Sequence, residues 1–117
     1  MKAAGTFPAR DGYELASQVR RSALSVPSNI AEGFGRGSTK DYVRFLKIAR
    51  GSLFELDTQL LLAHELGYIT TKGYTSLMMD WNEASKVLAG LIRRLESPRQ
   101  SSRSANAESR MANPDKA

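Results

Sequence analysis

Apolar residues recur every three or four positions along three stretches of the chain. Residues at this spacing share one side of an α-helix. The first stretch runs from about Asp11 to Phe34, and its apolar face consists of Leu15, Val19, Ala23, Val26, Ile30 and Phe34. This pattern predicts a helix whose apolar face packs against the rest of the protein. Gly33, Gly35 and Gly37 are expected to adopt left-handed conformations that end the helix and turn the chain.

A row of small and hydrogen-bonding side chains runs beside this apolar face. It consists of Gln18, Ser22, Ser25, Asn29 and Glu32. Such a row lets another helix approach closely and form hydrogen bonds. Pro27 lacks the N–H that would bond to the carbonyl of Ala23, so a kink is expected there. Glu32, and Glu55 further along the chain, are interpreted as structural carboxylates bonded to backbone groups or arginines, rather than as an acid/base pair.

The second stretch predicts a helix that begins after Ser38, an N-cap residue with Asp41 as its capping-box partner. Its apolar face consists of Tyr42, Leu46, Ala49, Leu53, Leu56 and Leu60. Gly67 is expected to end the helix, with Tyr68 and Ile69 folding back onto it. A separate apolar row, about 80–100° away from that face, consists of Val43, Phe54 and Leu61. In a monomeric three-helix bundle such a row has no packing partner. It therefore fits contact with a missing helix or a neighbouring subunit.

The third stretch predicts a helix capped by Thr70 or Thr71. Its apolar stripe consists of Tyr74, Leu77, Trp81, Ala84, Leu88, Leu91, Ile92 and Leu95. The pair Ser97 and Pro98 ends this helix, because proline disfavours continuation of the helical pattern.

The two ends of the chain differ from this helical region. Residues 1–10 are interpreted as an irregular lead-in, with Phe7 and Pro8 as an anchor against the helices. Residues 97–117 are rich in Ser, Arg, Ala and Asn and nearly lack large apolar side chains. Such a segment cannot offset its ordering entropy by burial. We therefore expect one helical domain over residues 1–96 and a disordered basic tail over residues 97–117.

The charge of the chain favours a polyanionic partner. The net charge is +5 and the pI is about 9.8, which suits nucleic acid. The basic residues form a stripe on the second helix, made of Arg36, Lys40, Arg44 and Lys47, with Arg50 at its edge. This stripe is either a solvated helix face or a phosphate-binding surface. Its start at a helix N-terminus favours phosphate. Phe34 and Tyr42 lie nearby and are able to stack on bases, but core packing is the preferred interpretation for both.

Several kinds of function are disfavoured by what the sequence lacks. There is no cysteine, so thiolate zinc sites and cysteine nucleophiles are excluded. The single histidine, His64, has no glutamate three residues before it, as di-metal bundles require. It is interpreted as a packed, hydrogen-bonded histidine. No apolar run approaches the ~20 residues that cross a bilayer, and the N-terminus lacks the apolar core of a signal peptide. We expect a cytoplasmic protein with no catalytic residue, metal or cofactor.

Four segments carry a resemblance to a known family: Gln18–Ala23, Ser25–Gly33, Phe45–Leu46 and Ile48–Leu56. Together they resemble the four-helix bundle proteins named for intervening sequences in bacterial 23S ribosomal RNA genes. The accessory variability protein of diversity-generating retroelements is similar. The resemblance covers about Phe7 to Leu95 and implies an all-α, up-down bundle that assembles into a ring-like homo-oligomer, pentameric where it is best understood. Relatives carry a complete helix before the Phe-Pro pair, where this chain has six residues. Three long helices are therefore expected, because the start codon is misplaced or the first helix is lost.

The resemblance also supplies functional expectations. In the retroelement relatives the basic ring binds nucleic acid and a reverse transcriptase, and a stripe repeated around a ring would form a continuous positive belt. The leading hypothesis is a non-enzymatic accessory protein that binds RNA or DNA, with a reverse transcriptase or another nucleic-acid enzyme as a partner. The alternative is an oligomeric scaffold or protein-interaction module without direct nucleic-acid binding. A structural polar network is expected from Gln18, Ser22, Asn29, Glu32 and Glu55, and a subunit contact from Val43, Phe54 and Leu61.

Overall fold

The computed structural model describes residues 9–97. These residues form three helices: α1 (Ala9–Gly35), α2 (Thr39–Glu65) and α3 (Thr71–Glu96). The all-α, up-down arrangement predicted from the sequence is confirmed. The predicted Phe7–Pro8 anchor lies outside the described residues, as does the predicted tail apart from Ser97.

The start of α1 corrects the expected extent of the lead-in. The helix begins at Ala9, so the interpretation of residues 1–10 as irregular is wrong for Ala9 and Arg10. Alanine and arginine are strong helix formers, and Asp11 in the first turn stabilises the helix N-terminus through the dipole. The helix then runs without a break through Pro27 to its last residue.

The turn between α1 and α2 depends on two glycines with different roles. Gly37 has a φ of 84°, a conformation that favours glycine. Gly33 and Gly35 are helical, so the expectation of left-handed conformations is wrong for them. Gly33 is buried, and a Cβ built there would lie 2.5 Å from the Cβ of Phe45. Gly33 therefore allows the end of α1 to approach the start of α2.

The ends of the other helices follow the predicted capping chemistry. The Ser38 hydroxyl accepts a hydrogen bond from the Asp41 N–H at 3.1 Å, and the Thr70 hydroxyl accepts one from the Gly73 N–H at 3.0 Å. Thr70, rather than Thr71, is thus the N-cap of α3. Gly67 has a φ of 82° and follows the C-cap Leu66. The Tyr68 N–H bonds to the carbonyl of Ala63 at 2.8 Å, which completes a Schellman motif.

The central helix is α2, because α1 and α3 each pack against it and barely contact each other. The buried cluster joins α2 to α3 and consists of Leu46, Ala49, Leu53, Leu88 and Ile92. Val26 and Ile30 of α1 pack against this cluster from the other side. The Trp81 indole N–H donates a hydrogen bond to the carbonyl of Leu53 at 2.6 Å, which fixes α3 on α2. The predicted apolar face of α2 is confirmed as the core of the fold.

An apolar groove of about 580 Å³ remains between α1 and α3. Leu15, Val19 and Ala23 form its α1 wall, Leu60 and Ala63 its floor, and Leu77 belongs to its α3 wall. Ala23 is exposed and Phe34 is 74% exposed, so the predicted burial of the whole α1 face is wrong for these two residues. Ala23 lines this groove, which the described part of α3 leaves open, whereas Phe34 lies outside the groove at the end of α1.

None of the three described helices combines the length and the apolar character that crossing a membrane requires.

Candidate nucleic-acid interface

The predicted basic stripe lies at the end of the molecule where α1 turns into α2. Arg36 follows the last residue of α1, and Lys40, Arg44, Lys47 and Arg50 lie on α2. Lys47 contacts Glu96 at the end of α3. The stripe therefore spans the α1–α2 turn and reaches the C-terminal end of α3.

Two arginines of the stripe are held by the same aromatic ring. The guanidinium carbons of Arg36 and Arg44 lie 5.1 Å and 4.4 Å from the centroid of the Phe45 ring. Phe45 itself is buried, so the ring is a fixed support. Cation–π contacts of this kind hold an arginine in place while its N–H groups stay free to bond elsewhere. The arginine side chains are 48% and 56% exposed, so the cations face solvent.

Carboxylates lie beside three of the five basic residues. Arg36 pairs with Glu32 at 3.0 Å, Arg44 approaches Asp41 at 3.8 Å, and Lys47 contacts Glu96. Lys40 and Arg50 form no ion pair within the described residues. The local positive charge is thus smaller than the sequence pattern suggested. Since exposed ion pairs contribute only about 0–1 kcal/mol, a phosphate can replace these carboxylates at little cost.

The N-terminus of α2 is less available to a phosphate than the sequence pattern predicts. One of its free N–H groups, that of Asp41, is already bonded to the Ser38 hydroxyl. The Asp41 carboxylate also lies in the first turn, where it interacts favourably with the helix dipole in place of an external anion. The candidate phosphate-binding groups are therefore the side chains of the stripe rather than the free N–H groups of the helix end.

Phe34 and Tyr42 occupy different environments. Tyr42 is half-buried and packs against the core cluster, as preferred from the sequence. Phe34 is 74% exposed, so the preferred interpretation of core packing is wrong for it. Its ring meets Tyr42 edge to face, with the centroids 5.8 Å apart. An exposed aromatic ring therefore lies at the same turn as Arg36, two residues before it in the chain. Its exposure at the last turn of α1 was not evident from the periodicity.

The polar row of α1 faces α2. The Ser52 hydroxyl donates to the Ser25 hydroxyl at 2.8 Å. The side-chain amide of Asn29 donates to the Ser25 hydroxyl at 2.9 Å and to the Ser25 carbonyl at 2.8 Å. Ser22 is buried. Between the two helices lies a polar cleft of about 430 Å³, lined by Gln18, Arg21, Ser22, Ser25, Ser52, Glu55 and Gln59.

The two glutamates of the predicted network lie apart from each other. Glu32 is exposed and pairs with Arg36 at the α1–α2 turn. Glu55 is exposed and lines the polar cleft together with Arg21. The geometry does not bring them together as an acid/base pair. The wider structural role of this network stays a prediction.

The predicted subunit contact lies along α2, with Val43 near the α1–α2 turn and Phe54 and Leu61 further along the helix. Phe54 is 53% exposed and Leu61 is 46% exposed, whereas Val43 is half-buried. The Phe54 ring lies 6.3 Å from the Trp81 ring, centroid to centroid. Phe54, next to Trp81 of α3, and Leu61 thus present apolar surface to solvent, while Val43 contributes less. Their role in self-association stays a prediction.

His64 is packed rather than free. Its ring stacks on Tyr74 with the centroids 4.6 Å apart, and its Nε2 is 3.2 Å from the Thr71 hydroxyl. These contacts join the end of α2 to the start of α3. Across residues 9–97, no group of three or more histidine or acidic side chains has the geometry to hold a metal ion.

Comparison with known proteins supplies the family. No curated protein is significantly similar to the chain. The model of a family described as the 23S rRNA-intervening sequence protein matches residues 1–90, which covers all of the interface and most of α3. The resemblance inferred from the sequence motifs is therefore confirmed, and the chain belongs to the 23S rRNA-intervening sequence protein family.

Proposed function

We propose that the protein is a non-enzymatic accessory factor that binds the phosphate backbone of nucleic acid. The site consists of Arg36, Lys40 and Arg44, with Lys47 and Arg50 extending it. The observation that carries this proposal is the support of two exposed arginines by the buried Phe45 ring. Because the ring restrains them before binding, less side-chain entropy is lost when phosphate is contacted. The cytoplasmic location and a nucleic-acid enzyme as partner belong to the same proposal.

The charge of the whole chain supports the proposal. A net charge of +5 attracts polyanions at long range, and the weak ion pairs at the stripe exchange readily for phosphate. Contacts of this kind position the protein without reading sequence. We therefore expect RNA and DNA to bind with little sequence preference and with a strong dependence on salt.

The test is a binding titration at several salt concentrations. Lys40→Gln combined with Arg44→Gln removes two cations of the site while retaining side chains compatible with a helix. We expect weaker binding to every sequence and a shallower salt dependence, by about one unit of slope per lost phosphate contact. The matched control is Lys72→Gln combined with Lys86→Gln. It removes the same charge from exposed positions of α3, outside the interface.

Arg93 and Arg94 are less suitable as a control. They lie in the last turn of α3, whose Glu96 contacts Lys47, so they are close to the interface. Equal affinities for the wild type and the Lys40/Arg44 variant would contradict the proposal. So would the absence of binding at low salt.

A second candidate function is an oligomeric scaffold that binds proteins and not nucleic acid. The exposed apolar surface of Phe54 and Leu61, together with the groove between α1 and α3, favours this alternative. An apolar protein contact responds little to salt, whereas phosphate binding weakens steeply. The same salt series therefore separates the two functions.

A further inference from the structure

The turn at the end of α1 carries an exposed aromatic ring, Phe34, and an arginine that rests on a buried ring, Arg36. Phe34 is 74% exposed at the end of α1, although large apolar side chains are usually buried. Its position is restrained, because α1 continues to Gly35 and the ring contacts Tyr42 edge to face at 5.8 Å. Tyr42 packs in turn against the core cluster. Phe34 is therefore a supported ring with most of its surface open.

The nearest cation to Phe34 in the chain is held by the same part of the fold. Arg36 follows Phe34 by two residues and rests on the Phe45 ring. Gly33 precedes Phe34 and brings the α1 backbone against Phe45. The close helix contact at Gly33 thus places the open ring and the supported arginine at the same turn.

We propose that Phe34 stacks on an unpaired base, so that the site prefers single-stranded nucleic acid over duplex. This inference rests on the proposed function and adds the class of nucleic acid to it. Phosphate contacts alone are available on single strands and duplexes alike. An aromatic ring gains a stacking partner only where a base is unstacked from its neighbours. Stacking is tolerant of base identity, so the preference concerns strandedness and not sequence.

The experiment compares a labelled single-stranded oligouridylate with a labelled RNA duplex of the same length. Phe34→Leu keeps an apolar side chain and removes the aromatic face. We expect it to weaken binding of the single strand by about tenfold, as the loss of one stacked base does, and to leave duplex binding and the salt dependence unchanged. Phe34→Tyr retains the ring and should keep the affinity of the wild type.

Fluorescence supplies a second readout. Phe34→Trp places an indole at the site, and stacking on a base should quench its emission when the single strand is added. The wild type provides the baseline, because its only tryptophan, Trp81, is half-buried and bonded to Leu53. Quenching in Phe34→Trp beyond that baseline would support the proposal.

Three results would overturn the inference. The first is an unchanged affinity of Phe34→Leu for the single strand. The second is an equal loss of affinity for the single strand and the duplex in this variant. The third is a change of oligomeric mass in Phe34→Leu, since this would make the ring a protein contact. In all three cases the wild type can still bind nucleic acid, and the proposed function then stands. If the wild type binds neither RNA, the proposed function fails together with this inference.

Discussion

At the scale of single residues, glycines and one buried ring determine the shape of the interface. Phe45 packs against the α1 backbone at Gly33 and supports Arg36 and Arg44. One residue thus links the close approach of two helices to the position of two cations. A change at Gly33 should therefore affect stability and the interface together.

We expect Gly33→Ala to destabilise the protein by about 1–3 kcal/mol, the usual cost of overpacking. The added Cβ would lie 2.5 Å from the Cβ of Phe45, so backbone or ring must move. Gly51 is the control, because it is helical like Gly33 but exposed, and a Cβ there meets nothing within 4 Å. Gly51→Ala should stabilise the protein by roughly 0.4–1 kcal/mol. Denaturant unfolding followed by circular dichroism measures both changes. A Gly33→Ala variant as stable as the wild type would show that the contact relaxes freely.

At the scale of elements, the sequence predicted the helices well because their signals are local. Ser38, Thr70 and Gly67 cap helix ends through bonds to residues close in the chain. The apolar periodicity of α2 identified the core for the same reason. The exposure of Phe34 could not be predicted in this way, since it depends on how the helices pack. The carboxylates beside the basic stripe illustrate the same point: Asp41 is a neighbour in sequence, but Glu96 reaches Lys47 only through the fold.

The contact between α1 and α2 yields a prediction about its polar side chains. Asn29 is half-buried and its amide donates two hydrogen bonds to Ser25. Asn29→Ala should lower the free energy of unfolding by about 1 kcal/mol, the usual loss for a hydrogen bond. Glu32 is the matched comparison, because it is exposed and pairs only with Arg36 within the described residues. Glu32→Ala should cost less than about 0.5 kcal/mol. Thermal and denaturant unfolding measure the stability of both variants. A larger loss of unfolding free energy for Glu32→Ala than for Asn29→Ala would contradict the prediction.

At the scale of the whole molecule, the described helices leave much apolar surface uncovered. In an up-down arrangement where α1 and α3 both pack on α2 but barely contact each other, the described helices leave one side of the core open. That side is the groove lined by Leu15, Val19 and Leu77. Beyond the groove, Phe54 and Leu61 are about half exposed. Exposed apolar surface on this scale often marks an interaction site, and self-association through it stays a prediction.

The last prediction therefore concerns self-association through Phe54 and Leu61. We expect the wild type to be a homo-oligomer at micromolar concentration, and Phe54→Gln combined with Leu61→Gln to shift it to monomers, because two apolar side chains are lost from the contact. The matched control is Met79→Gln combined with Val87→Gln, which alters α3 residues that are 68% and 63% exposed. This control should keep the mass of the wild type. Light scattering measures the mass, and circular dichroism checks that each variant is folded. A monodisperse wild-type monomer would contradict self-association, and dissociation of the control alone would place the contact on α3.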